Sequence, residues 1–253
     1  EKQNGKELNQ NKKINSDHYQ LIEKDTDLDK YLMEAEEAGE IAIDTETTSL
    51  DSHQAKLVGI SLSTKIGQAC YIPIGHSNGK NLIEKNIINK IKPVLEDKSI
   101  KKIGQNIKFD YIILYHRGID MNSMEDTMLM SYALDAGKNR HNMDALSEIH
   151  LGHKTISYKD LVGTGKKQIN FSEVDIKLAK KYAAEDADIT YRLYKIFLKN
   201  LKSEKLLNIY EIFEKPLIKI LALMEINGIK VDKKFLKFLS NKFEKKINNL
   251  EKE

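Results

Sequence analysis

The stretch IAIDTET, Ile41–Thr47, decides how this chain folds. Ile41, Ala42 and Ile43 form a short apolar run with β-branched side chains, bounded upstream by Glu36, Glu37 and Gly39, which is the signature of a strand. Side chains two apart on a strand share a face, so Asp44 and Glu46 project together from its end. One acid there would read as a turn signal, whereas two at this spacing point to a metal site.

Working outward, a helix is expected over Leu28–Ala38 and strands over Glu40–Glu46, Ala55–Ser63 and Gln68–Ile74, close enough in sequence to pair as an antiparallel meander. A helix near Leu82–Leu95 separates them from a short strand, Lys102–Gly104, and a further short strand is expected near Met121–Met124, with helices thereafter. A mixed sheet flanked by helices makes this an α/β fold.

Two later segments add acids at fixed spacing. In GQNIKFD, Gly104–Asp110, the turn residues Gly104 and Asn106 precede an apolar-periodic stretch (Ile107, Tyr111, Ile112, Leu114, Tyr115), with Asn106 placed as an N-cap. Taken alone, Asp110 reads as a first-turn acid favoured by the helix dipole, and a ligand role depends on the other segments. In YAAED, Tyr182–Asp186, a spacing of four puts Tyr182 and Asp186 on one face of a long helix expected to start near Ser172, with Glu173 and Asp175 in its first turn. The alternative is a solvated acidic helix, since Glu185 and Asp188 are acids too, although Ala183, Ala184 and Ala187 keep the surroundings small. Together Asp44, Glu46, Asp110 and Asp186 offer oxygen ligands suited to two hard divalent cations about 3.5–4 Å apart, an arrangement that activates water and absorbs leaving-group charge in phosphodiester hydrolysis. Four carboxylates balance the four positive charges of such a pair.

These segments, with LVGISLS (Leu57–Ser63), YIPIGH (Tyr71–His76), EDTMLMSYALD (Glu125–Asp135), RHNMDALSE (Arg140–Glu148) and YAAEDADITYRLY (Tyr182–Tyr194), resemble in the same order the 3′–5′ proofreading exonuclease domain of bacterial DNA polymerase I. The resemblance runs from about Tyr19 to the C-terminus. It implies a ribonuclease H-like fold with a C-terminal helical extension and an exonuclease releasing nucleoside monophosphates from single-stranded or frayed 3′ DNA ends. It also implies two divalent ions, Mg²⁺ or Mn²⁺, with Zn²⁺ an option at one site. Asp44, Glu46 and Asp186 match the ligands of the tighter metal, Asp44 and Asp110 share the second, and Tyr182 with Glu46 orients the attacking water. An unperturbed phenol, with a pKa near 10, is a poor base at neutral pH, so positioning is the better account of Tyr182. Leu50 matches a residue that wedges beside the terminal base and Phe171 an aromatic that packs on the frayed strand. Ordinary core packing is the alternative for both. Thr47, Asn106 and Arg140 match polar residues near the terminal nucleotides, with Asn106 as a pure helix cap the alternative. Thr48 departs from the pattern, standing where many relatives carry another acid.

Other patterns fail. Gly163-Thr164-Gly165-Lys166 suggests a phosphate loop, but Lys167 occupies the Ser/Thr position and Asp160 the first glycine. His150 and His153 have no Cys or third His at ligand spacing and read as a polar helix end. Cys70, the single cysteine, excludes an internal disulfide, fits a reducing compartment and reads as a small core residue.

At 253 residues and 40% hydrophobic content the chain can build a substantial core. No stretch nears the roughly 18 apolar residues of a membrane span, so a cytoplasmic protein acting as a monomer, nucleoid-associated through DNA and without membrane contact, is the expectation. Net charge is +3, but Lys199–Glu253 carries 13 Lys against 8 acids, leaving the catalytic part at −2 and the positive field on the C-terminal helices. Arginines are few, so Arg140 stands out as a bidentate phosphate contact. Expected boundaries are a polar, disordered leader over 1–18, the exonuclease domain over 19–202, and the helical start of a truncated polymerase region over 203–253, with helices at Leu206–Asn227 and Lys233–Lys252 around a strand-like Ile229–Val231. The polymerase domain of the same full-length chain is the expected partner, and this piece alone should not synthesise DNA. A catalytically silent scaffold or DNA-binding module, and an RNA-trimming enzyme of the ribonuclease D type, are the competing readings.

Overall fold

The computed structural model describes Ile14 and residues 16–252; of the leader expected over 1–18 the rest lies outside the described residues, and Ser16–His18 form one 3₁₀ turn. A six-stranded mixed sheet is built from β1 (Gln20–Leu21), β2 (Glu40–Thr47), β3 (Leu57–Lys65), β4 (Gln68–Pro73), β5 (Lys101–Gly104) and β6 (Met124–Asp126), in the order β1-β4-β3-β2-β5-β6. The meander β2-β3-β4 is antiparallel as expected, while β1 joins β4, β5 joins β2, and β6 joins β5, all in parallel. The short strand near Met121 begins instead at Met124. Helices α1 (Asp29–Ala38), α2 (Glu84–Glu96), α3 (Ile107–Tyr115), α4 (Thr127–Asp135), α5 (Met143–Leu151), α6 (Tyr158–Val162) and α7 (Ile176–Ser203) flank the sheet.

Long α7 is the element that closes the site. Its cap is Asp175, whose carboxylate accepts from the amides of Lys177 and Leu178, and not Ser172, which belongs to a separate 3₁₀ turn capped by Asn170. Ala179, Ala183, Ala184 and Ala187 are fully buried, so α7 packs closely on β3 and β4 and delivers its carboxylates to the sheet. The solvated reading of its acids does not hold. Asp188 is fully buried and accepts from Tyr19 Oη (2.9 Å), Gly67 N (2.7 Å) and Arg192 Nε (3.0 Å). Glu185 binds His153 Nε2 (2.9 Å) and Ile156 N (2.7 Å), pinning the loop after α5. His150 meets Phe197 edge-on, and Cys70 is buried in β4.

Gly59 of β3 stands opposite Glu46 in the ladder, and a β-carbon there would lie 2.1 Å from the Tyr71 hydroxyl. Tyr71 cannot swing aside freely, because it is fully buried and its hydroxyl pairs with His76 Nε2 at 2.7 Å. Gly59→Ala is therefore expected to destabilise the protein by about 1–3 kcal/mol, the usual range for overpacking. Chemical denaturation checks this, and an unchanged midpoint would show that Tyr71 relocates without penalty.

The chain divides into two compact units, the first reaching Ala222 and the second covering Leu223–Glu253. The first continues past Ser203 through α8 (Leu207–Ile209), a π turn (Tyr210–Glu214) and the start of α9 (Lys215–Asn227), where Tyr210, Ile218 and Ala222 are buried. In the second, α10 (Lys233–Leu250) is capped by Asp232 and exposes Phe235, Phe238, Phe243 and Ile247. Ile229–Val231, read as strand-like, pairs with nothing in the described sheet. No helix among the described residues is long and apolar enough to cross a membrane.

Candidate active site

Strand alternation places Asp44 and Glu46 on one face of β2, and α7 brings Asp186 to them. One carboxylate oxygen from each of the three lies within 4.8 Å of the others, with Asp44 partly exposed and Glu46 and Asp186 buried. Glu46 Oε1 is buried and has no hydrogen-bond partner among the described residues. An orphaned anionic oxygen in that position is costly unless a cation serves it.

Asp110 sits in the first turn of α3 and stands outside the tight trio. Its Oδ1 accepts from Thr45 N (2.8 Å) and Thr45 Oγ1 (2.5 Å), which clips α3 to β2. The Asp44 charge nevertheless reaches it: burial, then Asp44, pushes the Asp110 carboxyl well up from its ordinary value. Burial likewise lifts Asp44 to about 6. Glu46 is pushed well up by burial and by Asp44, Asp186 and Asp110, and Asp186 by burial and Asp44. Four acids that each resist ionisation make a cluster that favours bound protons. Tyr182 is pushed up by burial and by Asp186, Glu46 and Asp44, so its phenol stays protonated.

The substrate residues read from the sequence fare unequally. Leu50 is 94% exposed on the loop after β2, which excludes core packing. Thr47 Oγ1 donates to Ser49 O (2.9 Å) in the same loop, and Thr48, at the departure from the acid pattern, accepts from Lys56 N through its hydroxyl. Arg140 is exposed before α5. Asn106 is exposed and left-handed (φ 58°) at the start of α3, but its side chain does not cap the helix. The carboxylate of Asp126 does so, accepting from Asn106 N (3.0 Å) and Ile107 N (3.1 Å).

Phe171 needs correction. It is fully buried between Tyr182 and His76, so its ring offers no face to a strand. The exposed ring is Tyr158, 42% accessible, lying parallel to Phe171 (7°, centroids 6.2 Å apart) and edge-on to Tyr182 at 6.2 Å. Sequence reasoning missed it. The available signal was an aromatic between Lys154 and Lys159 in a polar stretch, a pairing typical of nucleic-acid surfaces. Thr45, the clip on Asp110, carried no sequence signal beyond its place between the two acids.

Comparison with known proteins agrees with this geometry. A family profile described as 3′-5′ exonuclease matches residues 19–202. DNA polymerase I of Rhizobium leguminosarum is 43% identical over 247 residues, covering 89% of this chain and 24% of the relative. DNA polymerase I of Borreliella burgdorferi is 42% identical over 221 residues, covering 87% and 24%. The chain thus spans about a quarter of the length of these relatives. Among solved structures, Escherichia coli RNase D superposes with a TM-score of 0.63 at 17% identity, covering 81% of this chain and 51% of that one. Brucella melitensis NrnC bound to pGG superposes at 0.62 and 22% identity, covering 85% and 96%, and at those identities both likenesses show a shared ribonuclease H-like fold. With the profile spanning the whole sheet and nearly all of α7, and with the acids converging where β2 meets that helix, the chain belongs to the 3′–5′ exonuclease family found in DNA polymerase I.

Proposed function

We propose that this domain removes nucleoside monophosphates from single-stranded or frayed 3′ DNA ends, serving the polymerase domain of a longer chain. The observation that carries the reading is the trio Asp44, Glu46 and Asp186 with its orphaned, buried Glu46 Oε1. Oxygen-only donors at this spacing fit hard divalent cations, Mg²⁺ or Mn²⁺, with Zn²⁺ an option at one position. Such cations would be held by Asp44, Glu46, Asp186 and Asp110, and supply water acidity and leaving-group stabilisation when bound.

The chain's own residues do the rest. Tyr182 stays protonated beside Glu46 and Asp186, so its hydroxyl donates to orient water and does not act as a base. Tyr158 presents a flat ring for the terminal base, since stacking tolerates any sequence. Leu50 wedges beside that base, and Thr47, Asn106 and Arg140 meet the terminal nucleotides. Retention of all four acids and the tyrosine weighs against a silent scaffold.

The test is digestion of 5′-labelled single-stranded DNA, beside RNA of the same sequence, with Mg²⁺, with Mn²⁺ and with chelator. A metal-dependent ladder shortening from the 3′ end of DNA supports the reading. Preferential trimming of RNA would move it to the ribonuclease D type, and no ladder from a metal-binding protein to the scaffold. Tyr158→Ala is expected to weaken DNA binding about 10-fold, as loss of one stacked base–aromatic contact of roughly 1–3 kcal/mol requires, with little change in Mn²⁺ binding. Phe171→Ala should instead lower the melting temperature, by opening a cavity beneath that ring.

A further inference from the structure

Beyond Ser203 a buried polar network joins the segment after α7 to the end of β6. Tyr210, in the π turn, is fully buried, and its hydroxyl donates to Glu125 Oε2 and accepts from Asp126 N, both at 2.9 Å. Lys215 Nζ donates to Glu125 Oε1 at 2.6 Å. Glu125 and Asp126 end β6 and are themselves buried. Asp126 then turns outward from this anchor, using its carboxylate to hold the amides of Asn106, Ile107 and Met128. Asn106 and Ile107 open α3, and one turn later stands Asp110. A second tie reaches the same helix from the same side. Lys219 Nζ and Tyr111 Oη both donate to Asp120 Oδ1, at 2.6 and 2.9 Å, and Tyr111 follows Asp110 in α3.

We propose that Tyr210 is a positioning residue for the exonuclease site: its hydroxyl fixes the β6 terminus that caps α3, and so sets where Asp110 stands relative to Asp44 and Glu46. The segment carrying it lies beyond the residues matched by the family profile, yet belongs to the same compact unit. The need for such an anchor follows from the geometry. Asp110 reaches the cluster from a separate helix, its carboxylate held to β2 by the Thr45 amide and hydroxyl. A shift of under 1 Å in the start of α3 weakens a ligand there, since ligand distances in metal sites stay within about ±0.2 Å of their usual values. Tyr210 opens the π turn, and such turns recur at functional sites.

The inference rests on the proposed metal-dependent function, and its test separates the two. Tyr210→Phe keeps the ring and deletes only the hydroxyl. The expected results are Mn²⁺ binding by calorimetry, without DNA, weakened at least 5-fold in its weaker event, and amide exchange at Asn106 and Ile107 about 10-fold faster with β3 and β4 unchanged. Lys215→Met, at the rim of the network, should move both readouts in the same direction by less, and serves if the first variant fails to fold. Unchanged Mn²⁺ affinity, or exchange that rises equally in β3 and β4, would overturn the proposal. If the unmodified chain binds Mn²⁺ but cleaves no DNA, the functional reading fails while these two readouts still decide the role of Tyr210.

Discussion

Asp44→Ala and Asp186→Ala are each expected to lower 3′-end hydrolysis by at least about 10³-fold while raising the melting temperature of the metal-free protein. The first effect follows from the trio. Each residue supplies one of three mutually close oxygens, so deleting any one leaves the site short of both a ligand and a negative charge. Several kcal/mol of transition-state stabilisation depend on the cations those ligands hold, and each 1.36 kcal/mol is about tenfold in rate. The second effect has the opposite sign because the same carboxylates burden the fold. Burial raises all four of them, and the Asp44 charge adds to the rise at Glu46, Asp110 and Asp186. Removing one relieves its neighbours by roughly 1 kcal/mol. Single-turnover degradation and thermal melting in chelator report the two halves. A variant that keeps near-normal activity sinks the site, and one that loses both activity and stability shows a structural role instead.

Stability in chelator should fall as pH rises from about 5 to 8, and Mn²⁺ should cancel that fall. A carboxyl whose folded value lies above its unfolded value contributes stability that is fully present below the unfolded value and lost as pH climbs through the folded one. For Asp44 that window runs from the ordinary carboxylate range to about 6, and for Glu46, Asp110 and Asp186 it extends higher. Burial lowers His76 and His150, which gives a counter-slope near and below their ordinary range, and Lys102, pulled down to about 8, adds one only above that. The difference between the unmodified protein and Asp44→Ala removes these background slopes. Saturating Mn²⁺, at 100 times its dissociation constant, adds about 2.7 kcal/mol. That gain should grow with pH, because the cation competes with protons for the same oxygens. A pH-independent difference, or no thermal shift with Mn²⁺, would falsify the reading of these acids as a cation site.

What could be read from the sequence was what local periodicity encodes. The apolar run before Asp44, the i, i+2 acids and the i, i+4 pair on α7 each fix a direction without reference to the rest of the chain, and the structure keeps all three. Tertiary context decided what was misread. Phe171 and Tyr158 are both aromatics in polar surroundings, and only the packing of α6 and α7 against β4 makes one a floor and the other a surface. Asn106 carried a capping residue's identity, but a carboxylate twenty residues later took the role. A solvated Glu185 and Asp188 stayed open as an alternative because the partners His153, Tyr19 and Gly67 are far away in sequence.

The strand lengths across the sheet also govern how the molecule behaves toward its own copies. The nine-residue β3 is paired on both sides and the eight-residue β2 along β3 and, over Glu40–Ala42, along β5, while the outer positions fall to β1, with two residues, and β6, with three. At β6 the Asp126 amide is already taken by the Tyr210 hydroxyl. An incoming strand therefore finds almost no free ladder to extend, which blunts edge-to-edge aggregation in a sheet whose interior strands are otherwise long and apolar.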